Sequence, residues 1–253
     1  MAIDRLQTLF VTGGGGGIGL AVARHGAAAG MNVVLADING DRLDQAIAGF
    51  DTPVHAIVMD VASIADWSRA RAEAEAVFGG VDLLVNGAAL PPSLTPILDM
   101  DVDAFDRVIR ANLCSLFYGT RTFGPTMRDR GYGHIVNIAS EAGLVPLALL
   151  GDYGAAKYGV VGFTEILRLE LADTGVGATV VTPGLTETNM TIGMGMDPSH
   201  VGRAIIDGVR RNAAYVITHP DVRAAIGRRF DAIVAAIGAP AQPGWVSPKT
   251  QWE

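Results

Sequence analysis

The chain is poor in cysteine, in charge and in long apolar runs. Of its 253 residues only one, Cys114, is cysteine. A lone thiol excludes a disulfide within the chain and a Cys-based zinc site, and it fits a reducing, cytoplasmic setting. The five histidines, at 25, 55, 134, 200 and 219, form no pair at ligand spacing, so no metal is expected. No apolar run reaches the ~20 residues that a membrane-crossing helix needs. No basic segment followed by an apolar one precedes the first glycines, so no signal peptide is expected. Charged residues make up 18% of the chain and hydrophobic residues 49%, which excludes general disorder. The net charge of −7 argues against binding nucleic-acid phosphates or an anionic membrane. What the chain has in excess is glycine: 32 residues, where average usage gives about 18.

Apolar runs and helical patterns alternate. Strands are expected at 6–12, 31–36, 54–60, 81–86, 134–139, 178–182 and 215–218. Helices are expected at 18–30, 41–48, 63–78, 103–130, 153–173, 197–212 and 221–237, with Asp197 as N-cap and Pro198 in the first turn. This alternation indicates βαβ units. The strands are continuously apolar, as in a parallel sheet covered on both faces. The expected fold is α/β, one doubly wound domain over 1–253 with a mostly parallel seven-stranded sheet and helices on both faces. A lid is expected at about 185–200. The tail 239–253, with three prolines and two tryptophans, is expected to be extended and to pack on something.

The glycine cluster Gly13–Gly17, followed by Ile18 and Gly19, lies between the first strand and the first helix. Glycines there let the backbone approach a pyrophosphate, which the helix N-terminus then receives. Two registers fit: Gly14, Gly16 and Gly19 as G-x-G-x-x-G, or Thr12-Gly13-x-x-x-Gly17-x-Gly19. Asp37 ends the second strand and is followed by Ile38. An acidic side chain at that place can bond the ribose hydroxyls of an adenosine and repels a 2′-phosphate. The order strand, glycine turn, helix, strand, Asp points to NAD.

Tyr153 and Lys157 are four residues apart at the start of a helix and share a face. An ammonium beside a phenol lowers the phenol pKa toward working pH, which makes Tyr153 a candidate proton donor and acceptor. Ser140 ends the fifth strand. The glycine turn, Asp37, Asn86, Ser140 and Pro183-Gly184 all fall at the carboxyl ends of strands, where open α/β sheets bind ligands. There is no Gly-x-Ser-x-Gly elbow, so Ser140 is a poor candidate for a hydrolase nucleophile.

From about Leu6 to Arg228 the sequence resembles the short-chain dehydrogenase/reductase family. The turn Thr12-Gly13-x-x-x-Gly17-Ile18-Gly19 carries the likeness, with Asp60-Val61 after strand three. Asn86-Gly87-Ala88-Ala89 matches the family's Asn-Asn-Ala-Gly element in its first Asn and departs at Gly87 and Ala89. Asn112, Ser140, Tyr153 and Lys157 match the catalytic tetrad, and Pro183-Gly184-x-x-x-Thr188 matches the nicotinamide-contacting segment. The resemblance implies a Rossmann domain and hydride transfer between NAD and a secondary alcohol or ketone. It implies that Tyr153 exchanges the proton and Ser140 orients the substrate oxygen. Lys157 is to lower the Tyr153 pKa and bind the nicotinamide ribose, while Asn112 holds a water through its helix backbone. Thr12, Gly13, Gly17, Ile18, Gly19, Asp37, Ile38, Asp60, Val61, Asn86, Gly87, Ala88, Pro183, Gly184, Thr186 and Thr188, with Tyr153 and Lys157, are the expected cofactor contacts.

Other readings on this scaffold are a 3-oxoacyl-type reductase, another enzyme such as a dehydratase or epimerase, or a silent NAD-sensing protein. The acidic balance and Asp37 disfavour a carrier-protein partner. Three of eight methionines, Met190, Met194 and Met196, lie within the lid. They read either as an adaptable apolar wall or as core packing. The expected substrate walls are Leu90, Pro91, Ala142, Leu144, Leu150, Met190 and Met194, around an apolar, ring-bearing alcohol or ketone. On the helix at 153–173, apolar residues cover about 200° of the circumference, wider than the ≳100° that one core needs. A homo-oligomer, most simply a tetramer, is therefore expected.

Overall fold

The computed structural model describes residues 5–188 and 190–238. They fall into two compact units, Met1–His219 and Pro220–Glu253. The first holds seven strands: β1 (Thr8–Thr12), β2 (Asn32–Asp37), β3 (Val54–Val58), β4 (Leu83–Asn86), β5 (Gly133–Ile138), β6 (Val176–Thr182) and β7 (Tyr215–Ile217). They form one sheet in the order β3-β2-β1-β4-β5-β6-β7, every pair parallel. The order reverses between β1 and β4, which opens a crevice at their carboxyl ends.

The helices of this unit are α1 (Gly17–Ala28), α2 (Gly40–Ile47), α3 (Ile64–Phe78), α4 (Val102–Ile109), α5 (Ser115–Arg130), α6 (Gly151–Glu170) and α7 (Pro198–Arg210). Successive strand residues feed opposite faces. Leu9 and Val11 pack with α1, α2 and α7 through Val22, Leu43 and Ile205. Phe10 packs on the other face with Trp67 of α3 and with Phe123 and Met127 of α5. Asp197 caps α7, accepting the Ser199 N–H at 2.7 Å, and Pro198 occupies the first turn, as its sequence requires.

One expected element differs. The helix expected over 103–130 is α4 and α5 joined by a π-helical turn, Arg110–Cys114, that contains Asn112. The Asn112 carboxamide bonds the Leu90 backbone twice, accepting its N–H at 2.7 Å and donating to its carbonyl at 2.9 Å. A wide turn at this place holds the side chain against the loop after β4. Such π-turns recur at functional sites.

In the second unit a 3₁₀ turn, Pro220–Val222, precedes α8 (Arg223–Ala235). The extended tail expected over 239–253 lies outside the described residues.

Candidate active site

The glycine cluster resolves to one register. Gly13 and Gly17 have φ of 70° and 50°, which L side chains rarely adopt. A Cβ on Gly19 would collide with the Gly13 carbonyl. Thr12-Gly13-x-x-x-Gly17-x-Gly19 is therefore the register that the backbone requires. The Thr12 hydroxyl accepts the N–H groups of Gly87 (3.0 Å) and Ala88 (3.2 Å), fastening the loop after β4 to the turn. From the segment after β6, Thr188 leans over the turn: a Cβ on Gly17 would lie 3.0 Å from the Thr188 methyl.

At the end of β2, Asp37 Oδ2 accepts the Gly15 N–H at 3.0 Å and Oδ1 accepts the Asn39 N–H at 3.1 Å. Each oxygen keeps lone-pair capacity for a hydroxyl donor. No basic residue stands in the glycine turn, but one comes close through space. Arg42 of α2 places its Cβ 2.9 Å from where a Gly15 Cβ would be. The turn that Asn39 caps brings it there. Ile38 is exposed. Asp60 is exposed and accepts the Ala62 N–H, while Val61 gives its carbonyl to the Trp67 indole at 2.9 Å.

The side chain of Asn86, an expected cofactor contact, is turned into the fold. It is buried, its amide donates to Asn137 at 2.8 Å, and its oxygen faces Gly119. It is a strut between β4 and β5. Only its neighbours Gly87 and Ala88 face the turn.

Ser140 ends the stretch after β5 and accepts the Ala142 N–H at 3.2 Å. Tyr153 lies in the first turn of α6, with the Ser140 side chain near enough its phenol to favour the phenolate. Lys157, one turn on, is buried, and its Nζ donates to the Ile138 carbonyl at 2.8 Å. Nζ is 5.3 Å from the centre of the Tyr153 ring. The three side chains therefore converge, as expected. Their electrostatics differ from expectation. Burial raises the Tyr153 pKa, and only the Ser140 side chain works against it. Burial lowers Lys157 to about 7. The expected ammonium beside a phenol is thus, in the free protein, a pair that burial drives toward neutrality on both sides.

Two residues that sequence reasoning passed over are prominent. Asp152 is fully buried; its Oδ1 accepts the Tyr153 N–H (2.7 Å) and its Oδ2 the Ser93 N–H (3.1 Å). It ties the start of α6 to the loop after β4. No spacing announces it, because the Ser93 N–H that it accepts belongs to a loop distant in sequence. His219 acts similarly at the segment after β6, where Pro183 accepts the Glu141 N–H and Gly184 donates to the imidazole. Thr186 is buried, and its hydroxyl donates to the Gly184 carbonyl at 3.1 Å.

The expected substrate walls divide. Leu90, Met190 and Met194 are exposed, as is Pro91, and Leu150 is half-buried. Ala142 and Leu144 are instead buried at 3% and 8% exposure, which makes them packing under the loop and not a free wall. Met196 packs on the core, so the packing reading holds for one of the three methionines.

The short chain dehydrogenase family profile matches residues 7–198. The C alpha-dehydrogenase of Sphingobium sp. (strain NBRC 103272 / SYK-6) is 32% identical, over 91% of this chain and 86% of that protein. The 2-dehydro-3-deoxy-L-rhamnonate dehydrogenase (NAD(+)) of Sphingomonas sp. (strain SKA58) is 41% identical, over 71% of this chain and 72% of its own length. A short chain dehydrogenase/reductase from Burkholderia phymatum, solved in complex with NAD, superposes with a TM-score of 0.87 at 25% identity, over 97% of this chain and all of its own. The cofactor is NAD, which the glycine cradle and the two-handed carboxylate of Asp37 fit. No helix among the described residues is long and apolar enough to cross a membrane, and no cluster there could hold a metal ion. The chain belongs to the short-chain dehydrogenase/reductase family, as an oxidoreductase that acts on hydroxyl groups with NAD.

Proposed function

We propose that the enzyme transfers a hydride between NAD and a neutral secondary alcohol or ketone with an apolar, ring-bearing body. The observation that carries this reading is the charge of the rim. The loops after β4 (87–101), β5 (139–150) and β6 (183–197) contain no Lys, Arg or His; their charged residues are Asp and Glu. A substrate carboxylate or phosphate would find no cation on them and would meet repulsion. The same loops expose Leu90, Ile97, Leu147, Met190 and Met194. The Sphingomonas relative's name is that of a sugar acid; the rim here disfavours that class.

Bound NAD supplies the hydride acceptor. Tyr153 takes the hydroxyl proton in oxidation and returns it in reduction. Ser140 orients the substrate oxygen beside the phenol. Lys157 holds the nicotinamide ribose from its place at the Ile138 carbonyl. The Asn112 side chain is spent on Leu90, which leaves its main chain for the water-holding role that the family resemblance implies. Thr12, the glycine turn, Asp37, Asp60 and Thr188 hold the rest of the cofactor.

The reading extends to assembly. Ile166 and Leu169 on α6 and Phe117 on α5 are exposed at 59%, 76% and 51%, an apolar surface that a second subunit would cover. A tetramer with two-fold axes is the expected state, in the reducing cytoplasm that a lone Cys114 suits. A light-scattering mass of one chain rejects it. For the substrate, initial rates of NAD reduction over a panel of secondary alcohols are the test. Rates should rise with apolar size and stay low for hydroxy acids. A short hydroxy acid or a free sugar as best substrate overturns the reading.

A further inference from the structure

The last strand of the sheet delivers a histidine to the segment after β6. His219 lies two residues beyond β7. Its Nδ1 accepts the Gly184 N–H at 3.0 Å, and its Nε2 lies 3.1 Å from the Leu185 carbonyl oxygen. Only an unprotonated ring nitrogen can accept a backbone N–H, and only an N–H can satisfy a carbonyl. The imidazole is therefore held as the Nε2–H tautomer, bridging two consecutive residues. The Thr218 hydroxyl stands 2.9 Å from the same Nδ1.

The opposite side of the segment is closed by Glu141. Its N–H donates to the Pro183 carbonyl at 3.0 Å. A Cβ on Gly184 would lie 2.6 Å from His219 Cγ and 2.7 Å from Glu141 Oε1. Gly184 thus fits between an imidazole and a carboxyl group. The Gly184 carbonyl accepts from Thr186 and the Leu185 carbonyl also accepts the Met196 N–H at 2.9 Å. Pro183–Leu185 is fixed from both sides by the protein's own groups.

We propose that His219 is a positioning residue for the nicotinamide end of the cofactor, preorganising Pro183–Leu185 before NAD binds. The proposal rests on the reading that this segment faces the nicotinamide. A segment already ordered costs less conformational entropy on binding. The adenosine end is built elsewhere, by the turn after β1 and by Asp37, so the effect of His219 is confined to one half of the ligand.

The test compares NADH with ADP-ribose, which shares the adenosine and pyrophosphate but lacks nicotinamide. Dissociation constants are measured by calorimetry for the wild type, His219→Ala, His219→Phe, His219→Asn and Gly184→Ala. His219→Phe keeps the ring without polar atoms; His219→Asn keeps an acceptor near the Nδ1 position. NADH should weaken about tenfold in His219→Ala and His219→Phe, as expected for losing two ordinary hydrogen bonds, and less in His219→Asn. ADP-ribose should stay within about twofold throughout. Steady-state rates should show the NAD KM rising more than kcat falls. Equal weakening of both ligands means general loosening and overturns the proposal. If His219→Ala and His219→Phe leave NADH unchanged while Gly184→Ala weakens it selectively, the segment reading stands and the role of His219 falls. If Gly184→Ala also leaves the ratio of the two ligands unchanged, the segment does not face nicotinamide, and both fall.

Discussion

The two ends of the sheet treat their polar side chains differently. At the amino ends of the strands, Asp82 accepts the N–H groups of Gln7 (2.7 Å) and Thr8 (3.0 Å) and pairs with Arg130 at 2.8 Å. His134 meets the Thr179 hydroxyl at 2.8 Å, and Arg168 donates to the Ala178 and Asn212 carbonyls. These bonds join strand to strand and strand to helix. At the carboxyl ends, Thr12, Asp37, Asn112, Asp152 and His219 bond the backbones of loops instead. Those bonds position the loops around the Tyr153 phenol and the Ser140 side chain beside it. One end uses polarity for stability, the other for positioning. Substitutions at the two ends should therefore separate stability from turnover.

The largest effect is expected at the carboxyl end. Tyr153→Phe should lower kcat by about a thousandfold, within the range of general acid–base catalysis, with NADH affinity and Tm nearly unchanged. Because burial raises the Tyr153 pKa, alcohol oxidation, which needs the phenolate, should climb with pH into the alkaline range. Ketone reduction, which needs the phenol, should hold toward neutrality. Initial rates in both directions across pH check this. A Tyr153→Phe variant that turns over normally removes Tyr153 from the mechanism.

At the amino end the expected effect is on stability alone. His134 is buried, and burial first, then the nearby Arg168 charge, lowers its pKa from 6.5 to about 3. The folded protein thus binds no proton at His134 through the window from 6.5 down to about 3, while the unfolded chain does. Stability is full above 6.5 and is lost as pH falls through that window, by up to about 5 kcal/mol if the whole window is crossed. His134→Gln should flatten the acid limb of a denaturation-against-pH curve and leave kcat at pH 7 within about twofold. An unchanged acid limb would place the acid sensitivity elsewhere.

The sequence makes the alternation of strands and helices legible because each strand is a continuous apolar run and the turns carry glycine or a polar cap. It also placed Ser140, Tyr153 and Lys157 together, since strand ends and i,i+4 spacing are local facts. What it could not show depends on chain segments far apart. The π-turn at Asn112 exists through a bond to Leu90, twenty-two residues away. Asp152 and His219 act through backbone groups that no spacing marks. The direction of the Tyr153 shift follows from burial, which tertiary packing sets. The glycine register was open because five glycines in a row satisfy two patterns; backbone angles choose one.

A smaller effect is expected at Asp37. Asp37→Ala should narrow the preference of NAD over NADP by roughly tenfold or more, since a close like charge is removed from a partly dry site. Arg42, whose Cβ lies beside the glycine turn, is then the nearby cation, so Asp37→Ala/Arg42→Ala should accept NADP less well than Asp37→Ala alone. Equal kcat/KM for both cofactors in the wild type would contradict the role given to Asp37.

The smallest expected effect lies in the segment after β6. Met190 and Met194 are exposed at 45% and 58%, whereas Met196 packs on the core under the same loop. The backbone separates them: Met196 donates its N–H to Leu185 and accepts that of Glu187, each at 2.9 Å, so its place is pinned. Met194 sits in a turn where its N–H donates to the Thr191 carbonyl at 3.0 Å. Met190→Ala and Met194→Ala should move the best substrate of a homologous series toward bulkier members. The change should be a few-fold in kcat/KM, because an apolar wall discriminates by only about 1–3 kcal/mol per methylene. Neither should change Tm by more than about a degree, since an exposed side chain far from the core contributes little to stability. Met196→Ala should do the reverse, lowering stability by about 1–2 kcal/mol through lost packing while the preferred substrate size stays put. If Met190→Ala and Met194→Ala leave the size profile untouched, these two methionines take no part in choosing the substrate.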